Sequence, residues 1–375
     1  MTRAKTRPIT LGYFPWTKSW HWLTASKSSR KRKLSVTWGA NKKPLPLSAL
    51  PSRYAKLNNL LLFRALIKDS PPRGVLGPLL GILTVKNGPS PFSGSKQNFK
   101  DLIRTGQKGG ALVFVFTPQN VNWAEETVEG YVYHPGQKRW VSLTFPLPNV
   151  VYNRIPDRLS EKKEEVRQCL ERLEKDPRIT LFNPGFFNKL ELYHLLSRKE
   201  PLARHLPFTV PLESKKQLGR LLKEHKSLYL KPIHGKAGQG IVKAVYEPKR
   251  RYILLYHHGP KTRRIQAFSF PSFWKALRSL LQYKAYLAQQ GIPLACHNGR
   301  PFDLRILVQK NKKGQWEVTG MGVRMAGPNR ITTHVPQGGQ IEEVDKVLGQ
   351  LFPRQVEEIK EEVRSLALLV AQTLE

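Results

Sequence analysis

The stretch LYLKPIHGKAGQGIVKAVYE, residues 228–247, decides how the chain is read. An alternating apolar run ends at Lys231 and Pro232. Three glycines follow within six residues, Gly235, Gly238 and Gly240, and a second alternating run begins. Glycines let the backbone turn tightly and present bare N–H groups to an anion. Context excludes two familiar phosphate loops. A Walker loop needs Lys followed by Ser or Thr at the start of a helix, whereas Lys236 precedes Ala237 and the run IVKAV is β-branched and alternating. A dinucleotide loop needs GxGxxG before a helix; the spacing here is GxxGxG before a strand. What remains is a β-hairpin with a glycine-rich tip. Lys231 at its strand end would reach the same anion as a point charge. Such a loop can close over a triphosphate as a lid. A plain surface turn is the alternative.

The chain has 375 residues, more than one compact core holds, which predicts two or three domains. Its 63 Lys+Arg against 27 Asp+Glu give a net charge of +36. Residues 1–110 alone carry 21 basic and 2 acidic side chains, and 28–33 reads SSRKRK. Such a field attracts phosphates, nucleic acids and anionic surfaces, or simply solubilises the chain. Cys169 and Cys296 stand far apart, with no disulfide framework or zinc spacing, which predicts a reducing, cytoplasmic setting. The longest apolar stretch, 75–85, is broken by Pro and Gly and is too short to span a bilayer, so no membrane partner is expected.

Hydrophobic spacing predicts the elements. Strands at 9–23 and 34–38 flank the basic turn. Tyr54, Leu57, Leu60, Leu61 and Ile67, with the stem of Arg64, have helical spacing over 52–68. Apolar runs at 79–85 and 111–117 read as buried strands around a short helix at 99–105, an α/β unit. A hairpin joins 131–133 to 140–143, a proline-bounded linker at 146–158 holds a short strand, and 161–176 is a charged helix. A second α/β region follows. Its helices are expected at 188–196, 214–225 and 272–282, and its strands at 209–212, 251–256 and 264–270. A hairpin of 302–310 and 315–324 and a one-faced helix at 355–374 complete it. On spacing alone 286–291 fits either a helix end or a strand. These elements divide the chain into a basic β-rich region at 1–70, an α/β domain at 71–176 and a third domain at 177–375.

Lys-Pro followed by a glycine-rich hairpin resembles the ATP-grasp fold. The wider sequence is similar to the YheC/YheD family of endospore coat-associated proteins, in eight segments that keep one order. They are GPLLGILT (77–84), PLPNVVYNRIPDR (146–158), LFNPGFFNKLELYHLL (181–196), LPFTVPL (206–212), YLKPIHGKAGQGI (229–241), YLAQQGIPLA (286–295), FDLRILVQKN (302–311) and GMGVRMAGPNRITTHVPQGG (320–339). The resemblance implies an α/β protein whose two α+β lobes hold ATP between them, behind an α/β pre-grasp domain. It implies ligase-like chemistry, in which a carboxylate is phosphorylated and an amine attacks the acylphosphate. Lys189 and Lys231 would face the phosphates and adenine, and Gly235, Lys236, Gly238, Gln239 and Gly240 would form the loop over the phosphates. A solvated helix position is equally open for Lys189. The resemblance also makes 286–292 the strand beside the adenine, with Gln289, Gln290 and Ile292 as candidates to pair the base. Many ATP-grasp proteins carry a carboxylate there.

Asp303 and Arg305 alternate with Phe302, Leu304 and Ile306, so they share one strand face. An Arg facing a cleft suits a γ-phosphate, where charge develops during transfer. Asp303 would hold that Arg or bind metal; a structural ion pair is the alternative. Arg324 on the paired strand is a second phosphate or substrate candidate. Asn329, Thr332, Thr333, Gly338 and Gly339 form a polar loop on the expected substrate side. His257, His258, His297 and His334 show no metal spacing and read as surface or loop residues.

The family's Mg²⁺ ligands come late, from an acidic residue and a Glu-x-Asn triplet beyond a long helix. No Glu-x-Asn lies beyond Arg305, so the chain is expected to stop before the metal site and the last core strands. No metal ligand is assigned. Three functions stay open. One is an ATP-dependent ligase acting on a small-molecule or peptide carboxylate. Another is a non-catalytic spore-coat protein that binds other coat proteins. The third is a polyanion binder, with nucleic acid not the expected partner. Steep salt dependence would mark the third, and Mg²⁺-dependent ATP turnover separates the first two.

Overall fold

The structure, a computed structural model, describes residues 6–24, 33–57, 60–70, 73–234, 239–249, 251–259, 261–281, 285–335 and 338–375. Gly235, Lys236 and Gly238 of the glycine-rich tip and the basic turn at 28–32 lie outside the described residues. The chain divides into two compact units, Met1–Phe186 and Phe187–Glu375.

Unit 1 opens with a closed six-stranded barrel. Round the wall the order is Thr6–Phe14, Ser19–Thr24, Leu45–Pro51, Lys33–Trp38, Arg73–Leu76 and Leu61–Ser70. Two expectations are corrected here. The single strand expected at 9–23 is a hairpin, with Lys18 at φ 48 in its turn. The helix expected over 52–68 is one 3-10 turn, Ser52–Lys56, followed by the strand Leu61–Ser70. Leu61, Phe63, Ala65 and Ile67 point inward at a period of two, which is strand spacing. That strand pairs with the first, from Thr6↔Lys68 to Tyr13↔Leu61, and so closes the ring. Aromatic side chains fill it. Trp20 meets Tyr13, Trp38 and Phe63 at ring separations of 4.7, 4.9 and 5.4 Å.

A seven-stranded sheet completes unit 1. Its main path runs Arg139–Pro146, Thr127–His134, Leu112–Phe116, Leu79–Leu83, Val150–Asn153 and Thr180–Phe182. Leu79–Leu83 pairs in parallel with both of its neighbours, and Val150–Asn153 pairs in parallel with Thr180–Phe182. The helices Lys96–Lys108 and Glu164–Lys175 make the crossovers that parallel strands require. The segment expected as a linker at 146–158 therefore supplies an interior strand.

Unit 2 contains two antiparallel sheets. The first comprises β1 (Thr209–Pro211), β2 (Ser227–Pro232), β3 (Val242–Glu247), β4 (Arg251–His258), β5 (Lys261–Ala267) and β6 (Tyr286–Gln290), in the order β1-β6-β2-β3-β4-β5. The stretch at 286–291 is thus an interior strand, paired along both edges. Helices α1 (Lys189–Ser197), α2 (Lys215–His225) and α3 (Phe270–Leu280) accompany this sheet. The apolar faces of α2 and α3 bury Leu218, Leu221, Leu222, Phe273 and Leu277 against Leu228, Leu230 and Ala244. The Oγ atoms of Ser214 and Ser269 accept backbone N–H bonds at the starts of α2 and α3 and so cap both helices.

The second sheet holds Cys296–His297, β7 (Arg300–Lys310), β8 (Trp316–Met325) and β9 (Gln340–Glu342). Its core, Phe302, Val323 and Met325, packs on α4 (Val344–Leu351) and α5 (Val356–Thr373). No helix among the described residues is long and apolar enough to cross a membrane.

Candidate functional site

The side chains that leave the two sheets of unit 2 opposite their helix-covered faces line a cleft of 860 Å³. On β2, Leu228 and Leu230 enter the core, so Tyr229 and Lys231 project into the cleft. Lys243 of β3, Arg264 of β5, Arg305 of β7, Arg324 of β8 and Arg330 of the following loop join them. Against these six cations the described lining offers one carboxylate, Asp303. A second hollow of 400 Å³ shares Lys231, Gln289, Arg305 and His334 with the cleft, and Leu192, Tyr193, Leu206 and Leu287 give it apolar walls.

Lys231 Nζ donates to Gln289 Oε1, and Gln289 Nε2 in turn donates to Thr209 Oγ1 at 2.8 Å. Burial pulls the pKa of Lys231 below its ordinary value, and that of Lys243 likewise. The two ammonium groups lie 5.5 and 5.4 Å from the centre of the Tyr229 ring, in cation–π range. Tyr229 is fixed in turn by donating its hydroxyl proton to the Ile331 carbonyl at 3.2 Å.

Asp303 organises the arginines. It accepts from Arg305 Nη2 at 2.7 Å and from Thr333 Oγ1 at 3.0 Å, and Arg324 Nη2 lies 3.5 Å from the same Oδ2. Arg324 Nε donates to Thr333 Oγ1 at 3.2 Å, while its Nη2 is buried and has no hydrogen-bond acceptor among the described residues. Both guanidinium groups are therefore positioned while donors remain for a further anion.

Lys189 sits at the start of α1. Its Nζ donates to the Pro232 and Ile233 carbonyls at 2.9 and 3.1 Å, tying the helix to the end of β2. Gln239 lines the smaller hollow, and Gly240 has φ +70, a conformation that glycine adopts freely. The Gln290 N–H donates to the Phe208 carbonyl and the Gly291 N–H to the Ser227 carbonyl, both at 2.8 Å. Ile292, half exposed at the cleft wall, is the first residue beyond these sheet bonds. Asn329, Thr332 and Thr333 also line the cleft.

The histidines divide, and the reading of them as surface or loop groups is corrected for two, His257 on β4 and the buried His297, while His334 is a loop residue. His334 lines the cleft, and burial, followed by the nearby Arg305 charge, lowers its pKa. His257 is lowered by burial and then by Arg330, whose Nη1 lies 3.3 Å from its Nδ1. His297 is buried with its Nε2 paired to the Gln350 side chain. Sequence spacing does not reveal this, because His257 lies on β4 while His334 lies in a loop far along the chain. Lys243 and Arg264 were also missed, although each alternates with core residues along its strand.

The donor set suits a polyphosphate: cations and a buried guanidinium nitrogen, with an apolar hollow alongside. It does not suit a metal ion held by the described residues. The lone carboxylate already holds two arginines, and no group of three or more His, Cys, Asp or Glu comes together among the described residues.

Fold and site together define an ATP-grasp protein. The chain belongs to the YheC/D-like ATP-grasp family, whose model matches residues 178–375. The resemblance carried by the eight sequence segments is thereby borne out. The chain is 31% identical over 304 residues to the endospore coat-associated protein YheD of Bacillus subtilis strain 168, a match covering 80% of this chain and 66% of that protein. It is 23% identical over 239 residues to YheC of the same organism, covering 64% and 65%. It thus spans just under two thirds of the length of these curated relatives. Among solved structures it is similar to the VanG D-Ala:D-Ser ligase of Enterococcus faecalis, with a TM-score of 0.43, 9% identity and coverage of 80% of this chain and 83% of that one.

Proposed function

We propose that unit 2 binds ATP and serves a ligase-like reaction, phosphorylation of a carboxylate followed by attack of an amine on the acylphosphate. The observation that carries this reading is the set of cations in the cleft with one carboxylate among them. A buried ammonium such as Lys231 costs free energy unless an anion accompanies it. A triphosphate lying along Lys231, Lys243 and Arg264 would supply that anion. Arg305 and Arg324, held by Asp303, would meet the charge that develops at the transferred phosphoryl group. The apolar hollow beside β6 would take the adenine, with Gln289 in its wall and Gln290 and Ile292 on the adjoining cleft lining. Lys189 acts here as a positioning residue, fixing the strand end from which the glycine-rich turn departs.

A second reading, nucleotide binding without turnover, is favoured by the single carboxylate in the cleft. In either case we infer an endospore-coat setting, because YheD and YheC are named as coat-associated proteins.

Calorimetric titration of the chain with ATP, with and without Mg²⁺, tests binding. ATP is expected to bind, and Lys231→Ala to weaken it by about tenfold or more, the scale of one lost charge-assisted hydrogen bond. No heat from a folded protein would remove the proposal. Phosphate release in the presence of candidate carboxylates then separates turnover from binding alone.

A further inference from the structure

Unit 1 carries a second candidate site, at the point where its parallel sheet changes direction. From Leu79–Leu83 the chain crosses through the helix Lys96–Lys108 to Leu112–Phe116 on one side. From Val150–Asn153 it crosses through Glu164–Lys175 to Thr180–Phe182 on the other side. The two departing strands are parallel neighbours. The crevice outside the carboxyl ends of such a pair is where open α/β sheets take ligands. A hollow of 420 Å³ lies there, lined by residues that follow these strands. That volume falls in the small-molecule range of about 300–1,000 Å³.

Its chemistry is specific. Glu161 Oε2 accepts the Phe186 N–H at 3.5 Å, whereas Oε1 is buried and accepts no hydrogen bond among the described residues. A bare buried carboxylate oxygen is costly and calls for a donor. Gly185 keeps the approach open, since a Cβ there would lie 3.3 Å from Oε1. Arg154 lines the same hollow. Its guanidinium rests over the Tyr152 ring at 5.4 Å, with Nη1 3.4 Å from the Tyr152 hydroxyl, leaving donors for a carboxylate. Phe99 and Phe186 add apolar wall.

We propose that this hollow binds a free amino acid, with its ammonium on Glu161 and its carboxylate on Arg154. The proposal uses unit 1 alone and stands whether or not unit 2 binds ATP. The test is ligand-observed NMR on the full chain, with the protein amino acids and D-alanine as probes at millimolar concentration. At least one is expected to bind, and its N-acetyl and carboxamide derivatives are expected not to compete. Glu161→Gln and Arg154→Ala should each weaken binding by about tenfold or more. ATP binding by Glu161→Gln should match that of the parent chain. If Glu161→Gln fails to fold, the exposed Arg154 carries the test. No binding by any probe, or binding indifferent to the substitutions, would overturn the proposal.

Discussion

Lys231 shows how a binding group can weaken the fold that carries it. Its pKa is lowered by burial, so the fold bears the cost of a desolvated ammonium at neutral pH. As pH rises from the lowered value toward 10.5, the folded state sheds the proton before the unfolded state does, and this cost is relieved. Lys231→Met should therefore raise Tm at neutral pH while losing ATP binding, which thermal melts with and without nucleotide would show. The histidines act in the acid range. His334 and His257 stay neutral in the fold below their ordinary 6.5, where the unfolded chain takes up protons. Stability should fall as pH drops from 6.5 toward the lowered values, and replacing both with Gln should flatten that limb of the Tm–pH curve. Thiol labelling probes the cleft from another side. Burial pushes the Cys169 thiol up to about 12, while Cys296 is exposed on the cleft lining. A disulfide reagent should modify Cys296 in the native protein and leave Cys169 intact, and ATP should slow the reaction. At this scale alternation made Lys231, Asp303, Arg305 and Arg324 legible. It could not reveal that Asp303 holds Arg305 directly and reaches Arg324 through Thr333, because that loop returns from 30 residues away.

Among the elements, strands with local partners were legible. The hairpin of β7 and β8 follows from two alternating runs and a turn. The strand Leu61–Ser70 was not, because its partner lies at the start of the chain and Arg64 fits either period. The apolar stem of Arg64 completes a helical pattern, although Leu61, Phe63, Ala65 and Ile67 alternate. In the larger sheet of unit 1, Phe114 and Phe145 stack with centres 4.3 Å apart and planes 5° from parallel. Gly130 makes the room: a Cβ there would come within 2.3 Å of Phe114 and 2.8 Å of Phe145. Gly130→Ala should cost about 1–3 kcal/mol by overpacking, read as a lower midpoint in denaturant unfolding.

For the whole molecule, each unit has cores of its own, so ligand effects should be local. Differential scanning calorimetry with ATP is expected to raise a transition belonging to unit 2 and leave that of unit 1 in place. The family match begins at 178, and the sequence segments that carry the resemblance cluster beyond it, which is why unit 2 was more legible than the barrel. The barrel's closure also has a bearing on company. A ring has no seam, so the main chain of its wall offers no free border for another polypeptide to extend. Whatever the first unit meets through this ring it must meet through side chains, on a chain whose net charge of +36 already selects for anionic company.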